Sequence, residues 1–118
     1  MVSFETHNTV FLSAVGTCLQ GYVTSDYSNI VQVFGEPIEC DSYKVDAEWV
    51  IYFSDGKIAT IYNWKDGKNY CGDDGLDPED IKEWHIGGNS TEVVSRIQNL
   101  LNNPWPVFDE IRQAAALE

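Results

Sequence analysis

Two aromatic and β-branched runs joined by an Asp-Gly turn constrain this chain more than any other feature. Glu48-Trp49-Val50-Ile51-Tyr52-Phe53 runs into Ser54-Asp55-Gly56-Lys57, and Ile58-Ala59-Thr60-Ile61-Tyr62-Asn63-Trp64 leads away. Asp-Gly tolerates the positive φ that tight turns demand, and the flanking residues fit a pleated, half-buried surface. Residues 48–64 therefore predict an antiparallel hairpin. Trp49, Ile51 and Phe53 fall on one face of the first strand, and Glu48, Val50 and Tyr52 on the other. On the second strand Ile58, Thr60, Tyr62 and Trp64 alternate with Ala59, Ile61 and Asn63. Neither strand has a purely polar face, so partial cover on both sides is expected, with Trp49 and Trp64 in the core.

Around the hairpin, apolar periodicity changes to that of helices. Ser25 reads as a cap and Asp26 suits the positive end of a helix over about 26–34, with Tyr27, Ile30, Val31 and Phe34 as its stripe. Gly35 and Pro37 stop it. Asn89, with Glu92 three residues on, reads as the capping pair of a second helix over about 90–102, whose apolar face is Val93, Val94, Ile97, Leu100 and Leu101. Asn102-Asn103-Pro104 ends it. Residues 107–112 predict a last short helix, with Trp105, between Pro104 and Pro106, read as packed beneath it and, as the alternative, as a surface anchor. Val10 to Leu12, Leu19 to Val23 and Trp84-His85-Ile86 read as strands. Residues 65–83 form a polar excursion, with one helical turn where Asp77-Pro78-Glu79-Asp80 places proline at the first helical position. The expected fold class is α+β: an antiparallel sheet with a central hairpin, packed by two to three short helices.

The tail Ala114-Ala115-Ala116-Leu117-Glu118 reads as an expression-vector scar, leaving 113 of the 118 residues, 1–113, for a single domain. A chain this long buries roughly two thirds of its unfolded surface, enough for one core. It is 43% hydrophobic and 13% aromatic, which excludes a disordered acidic tail. No apolar run approaches the ~18 residues of a membrane span, and the first residues lack the charged and apolar regions of a signal peptide. Cys18, Cys40 and Cys71 are odd in number and widely spaced, which predicts free thiols in a cytoplasmic setting.

Charge sorts the partners. Seven basic residues against 19 acidic ones give −12; without Glu118 the acids number 18 and the balance is −11. Nucleic acid needs clustered lysine and arginine, so direct binding to it is not expected. An acidic surface suits a basic protein surface, including one that ordinarily holds nucleic acid. It also serves solubility.

Two segments are candidate ligand sites. Trp84-His85-Ile86-Gly87-Gly88-Asn89 reads as strand, glycine pair and helix start, where unpartnered backbone N–H groups attract anions. Lys65, Lys68, Asn69 and Tyr70 share a glycine-bearing loop, where the lysines could clamp a phosphate or meet an acidic partner. Each segment also has a purely structural explanation, in capping and turn formation for the first and loop solvation for the second. The acid run Asp73, Asp74, Asp77, Glu79 and Asp80 lacks the spacing of a calcium loop, and no metal or cofactor is expected. Neither His7 nor His85 lies in a local motif with a nucleophile, so no catalytic residues are assigned and a non-enzyme is expected.

Several segments together resemble a widespread group of small bacteriophage proteins: Gly21-Tyr22-Val23, Phe34-Gly35-Glu36-Pro37, Tyr43-Lys44-Val45-Asp46-Ala47-Glu48-Trp49, Asp55-Gly56, Ala59-Thr60-Ile61-Tyr62-Asn63-Trp64-Lys65 and Trp84-His85-Ile86-Gly87-Gly88. The resembling stretch runs from Gly16 to Gly88, about two thirds of the 113 residues. The resemblance implies an accessory protein that antagonises host defence or host machinery in the infected cell cytoplasm. Two modes fit: an acidic surface on a basic host protein, sometimes mimicking DNA, or a sponge for a nucleotide signal, similar to anti-Thoeris or anti-CBASS proteins. A small enzyme of unknown class is a further alternative, and the sequence is compatible with a homo-oligomer.

Overall fold

The computed structural model describes residues 3–8, 17–39, 45–64 and 66–102. The expected strand at Val10 to Leu12, the helix at 107–112, Trp105, Cys40, Lys65 and the 114–118 tail lie outside them.

The Asp-Gly hairpin forms as its residues dictate. Strand β4 (Ala47–Phe53) pairs antiparallel with β5 (Ile58–Tyr62) in the register Trp49 to Ile61 and Ile51 to Ala59. Gly56 takes φ +92° in the turn, and the Phe53 amide donates to the Lys57 carbonyl at 2.8 Å. Four more strands extend the sheet: β1 (Phe4–Thr6), β2 (Cys18–Thr24), β3 (Ile38–Glu39) and β6 (Glu83–Gly88). The order is β1-β4-β5-β6-β2, with β3 also on β4, and every pairing is antiparallel. The α+β expectation therefore holds.

Helices α1 (Tyr27–Phe34) and α3 (Glu92–Asn102) pack on one face of the sheet; α2 (Lys68–Cys71) and two single 3-10 turns occupy the polar excursion, one of them at the expected Pro78–Asp80. Ile30, Val33 and Phe34 of α1 and Val93, Ile97, Leu100 and Leu101 of α3 are buried. They meet Val23, Trp49, Ile51, Phe53, Ile61, Trp84 and Ile86 from the sheet. Trp49 and Trp84 sit edge to face at 5.5 Å, both fully buried, with Tyr27 against each. Their indole N–H groups secure the two ends of α1: Trp84 donates to the Ser25 carbonyl at 3.1 Å and Trp49 to the Gly35 carbonyl at 2.8 Å. Removing a ring so placed costs about 3–5 kcal/mol.

The structure corrects several local expectations. Ser25 does not cap α1; Asp26 takes the N-cap position without a side-chain cap bond and pairs with Lys82 instead. Asn89 does not cap α3. Its Oδ1 accepts from the Ile58 amide at 2.9 Å, which ties it to the hairpin, and Ser90 Oγ accepts from the Glu92 amide at the actual helix start. Gly87 and Gly88 do not form a turn after the strand but belong to β6, paired to β5 and β2. Trp64 is not in the core: it follows β5 and is 41% exposed. Cover on the hairpin is also uneven, because the second face buries Val50 and Thr60 yet leaves Tyr52 exposed.

Candidate functional site

The two faces of the sheet differ because α1 and α3 occupy only one. On the other, the ladders align Glu48, Tyr62, His85 and Tyr22 in one row across β4, β5, β6 and β2, and Val50, Thr60, Gly87 and Leu19 in the next. Period-two alternation produces this arrangement, since Trp49, Ile61, Trp84 and Val23 beside the first row all point into the core. This second face, opposite α1 and α3, buries Val50 and Thr60 but is open toward the β2 margin, where it carries Tyr22, 52% exposed, and Leu19, 50% exposed, with Trp64 at the end of β5.

Between these side chains lies a concavity of about 250 Å³, lined chiefly by Leu19, Glu48, Thr60, Tyr62, Trp64 and Gly87. The bare backbone of Gly87 is what keeps it open: a Cβ there would collide with Thr60 Oγ1 and lie 3.6 Å from the Tyr62 ring. Tyr62 and Trp64 meet edge to face at 6.3 Å, and Tyr62 lies 5.4 Å from the His85 ring, which in turn packs 4.8 Å from Tyr22.

The electrostatics of the site follow from partial burial. Burial pushes the Glu48 carboxyl above its ordinary range, and no charge among the described residues compensates it. Among the described residues the Glu48 carboxylate makes no ion pair or hydrogen bond. The Tyr62 hydroxyl is pushed up by burial first and by Glu48 next. Burial lowers His85, against an opposing pull from Asp66 and Glu83, and its Nδ1 is buried without a hydrogen-bond partner among the described residues. The row therefore favours a neutral imidazole between two tyrosines.

The sequence-derived candidates are dispersed. Trp84 and Gly88 face the core; a Cβ on Gly88 would meet Val93 Cγ2 at 2.6 Å. His85 and Gly87 face the open side. Asn89 serves the hairpin turn. Lys68 pairs with Asp77 at 3.1 Å, and Asn69 Nδ2 donates to the Val45 carbonyl at 3.0 Å while its amide donates to Asp46 Oδ2. Tyr70 is exposed on α2. Sequence reasoning missed Leu19, Glu48, Tyr62 and Trp64 as a site; the signal was present in the polar-face positions of two strands flanking a glycine, but their juxtaposition needs the β5–β6–β2 order.

A second missed element is Asn63, fully buried directly after β5. Its Oδ1 accepts from the amides of Asp46 at 2.7 Å and Ala47 at 3.1 Å, and its Nδ2 donates to Asp46 Oδ1 and Asp66 Oδ1, both at 3.0 Å. This network holds the entry to β4 beside the site.

The charge map is one-sided. Every cation among the described residues is neutralised within the chain: Lys57 by Asp55 and Glu92, Lys68 by Asp77, Lys82 by Asp26, and Arg96 by Asp55 and Glu92. The acids of 73–80 are exposed. Cys18 and Cys71 are surface thiols, and no helix among the described residues is long and apolar enough to cross a membrane. No protein-family profile and no curated protein sequence matches the chain.

Proposed function

We propose that the protein is a non-catalytic, phage-type accessory protein that antagonises host defence or host machinery by binding a basic host protein, using the open face of its sheet. The observation that carries this reading is the internal pairing of every described cation, beside an exposed aromatic margin and a Glu48 carboxylate that is unpaired among the described residues. A surface left with surplus negative charge attracts basic partners and repels nucleic acid. Exposed tyrosine and tryptophan supply the rigid, amphipathic area that dominates protein-binding energetics. Mimicry of DNA by the acidic surface is one form such binding takes.

The nucleotide-sponge reading is weaker. A phosphate needs cationic or N–H donors, and the described lysines are committed to carboxylates. The glycine pair offers no helix start. A concavity of about 250 Å³ also falls below the roughly 300–1,000 Å³ of small-molecule sites.

Native mass spectrometry after exposure to lysate from infected host cells tests the reading. The expected result is an added polypeptide that dissociates as salt rises, because surface charges are screened within about 8 Å at physiological ionic strength. Tyr22→Ala should weaken its capture. An added mass of a few hundred daltons with no polypeptide would overturn the reading in favour of the sponge.

A further inference from the structure

The concavity beside Glu48 asks for a particular chemistry. Its walls combine aromatic and aliphatic side chains with Thr17 and Cys18, its floor is Thr60 and the bare backbone of Gly87, and its carboxylate comes from Glu48 alone. A half-buried carboxylate without a compensating charge is costly to keep ionised. Elsewhere in the described molecule cations find carboxylates, with Arg96 gripping Asp55 through two bonds of 3.0 and 2.7 Å. Among the described residues Glu48 is left with none, at the place on the open face where carboxylate, Tyr62 and Trp64 border one hollow.

We propose that this hollow is a socket for one cationic side chain, arginine or lysine, presented by a protein partner. The inference rests on the reading of the open face as a protein-binding surface. The aliphatic stem lies along Leu19 and Gly87, where the absence of a side chain admits it. The charged head meets Glu48, and Tyr62 and Trp64 offer rings on which an alkylguanidinium or ammonium is attracted to the π system. An anion is refused by Glu48, and a neutral polar group leaves the carboxylate uncompensated. The volume fits one side chain, so the socket supplies an anchor and register within a wider contact.

The test is an NMR titration of ¹⁵N-labelled protein with N-acetyl-arginine amide, N-acetyl-lysine amide and the neutral isostere N-acetyl-citrulline amide. The socket predicts saturable shifts at the Gly87 amide and the Trp64 indole with both cations, in the millimolar range, on the order of what one side chain supplies. Citrulline amide should bind about tenfold more weakly or not at all, as should the arginine probe with Glu48→Gln protein. Equal response to arginine and citrulline, or no saturable response at Gly87 to either cation, would overturn the proposal. The citrulline comparison uses the unaltered chain, so it decides the matter even if the variant folds poorly. Cation binding at Gly87 supports the socket whether or not a host polypeptide is captured. Its absence removes the socket while leaving a captured polypeptide to support the broader function.

Discussion

Glu48 stands directly opposite Tyr62 across the β4–β5 ladder, on the face turned away from α1 and α3. Its carboxylate is half-buried there beside the tyrosine ring, and burial alone raises its affinity for a proton. Folding therefore favours the protonated form. The stability linked to Glu48 is fully present below its unfolded pKa and is lost as pH rises through the higher folded value. Glu48→Gln, neutral at every pH, should melt no lower than the parent at pH 7 and a few degrees higher at most. The gap should close near pH 3. Thermal melts at both pH values check this, and a Gln variant markedly less stable at pH 7 would mean that the carboxylate has a compensating partner.

Gly87 should resist substitution for a steric reason. An alanine Cβ would meet Thr60 Oγ1 across the ladder, in a position where Thr60 is itself 3% exposed. Gly87→Ala should cost about 1–3 kcal/mol in urea denaturation, the range for overpacking. If the clash is the cause, adding Thr60→Ala should restore much of that loss; two simply additive losses would point to strand distortion instead. The same Gly87→Ala change should also fill the socket and weaken the arginine probe.

Asn63 should be nearly irreplaceable. Its amide joins two backbone N–H groups of the β4 entry to the carboxylates of Asp46 and Asp66. Asn63→Ala leaves those groups short of partners and should cost about 2–4 kcal/mol by urea denaturation. Asn63→Asp should be worse at pH 7, where a third carboxylate meets the other two, and should recover in part as pH falls toward 4. A cost below about 1 kcal/mol for the alanine variant would show that water replaces the network.

The Asp55–Arg96 fork links the hairpin turn to α3, and its hydrogen bonds hold the Asp55 carboxyl well below the usual carboxylate range. A depressed folded pKa contributes stability above the unfolded value and loses it as pH falls through the acid range. Asp55→Asn should therefore lower the melting temperature at pH 7, and the difference from the parent should shrink below about pH 4. Combining it with Arg96→Gln should cost less than the two changes summed, since both break one contact. A pH-independent difference would assign the effect to turn geometry.

The hairpin, the α1 stripe and the α3 stripe were legible because each is written in short-range periodicity: alternation over 48–53 and 58–62, and the i, i+3, i+4 spacing of Ile30, Phe34, Val93, Ile97, Leu100 and Leu101. The candidate site was not, and Asn89 explains why. Its cap-like spacing to Glu92 is a local signal, but the Ile58 amide of the hairpin competes for the same Oδ1 and wins. Gly87-Gly88 likewise has the composition of a turn, yet β2 and β5 on either side draw both residues into the ladder.

By itself the sequence determined the class of fold, the turn at Gly56, the burial of Trp49 and the surplus of negative charge, since these depend on residue types and neighbours a few positions apart. Only the tertiary structure decided that Trp84 faces the core while Trp64 does not, and that Gly87 forms a floor. It alone brought Glu48, Tyr62 and Leu19 around one hollow. Those outcomes depend on strand order and on which face the helices cover, and both are set by contacts between residues tens of positions apart in the chain.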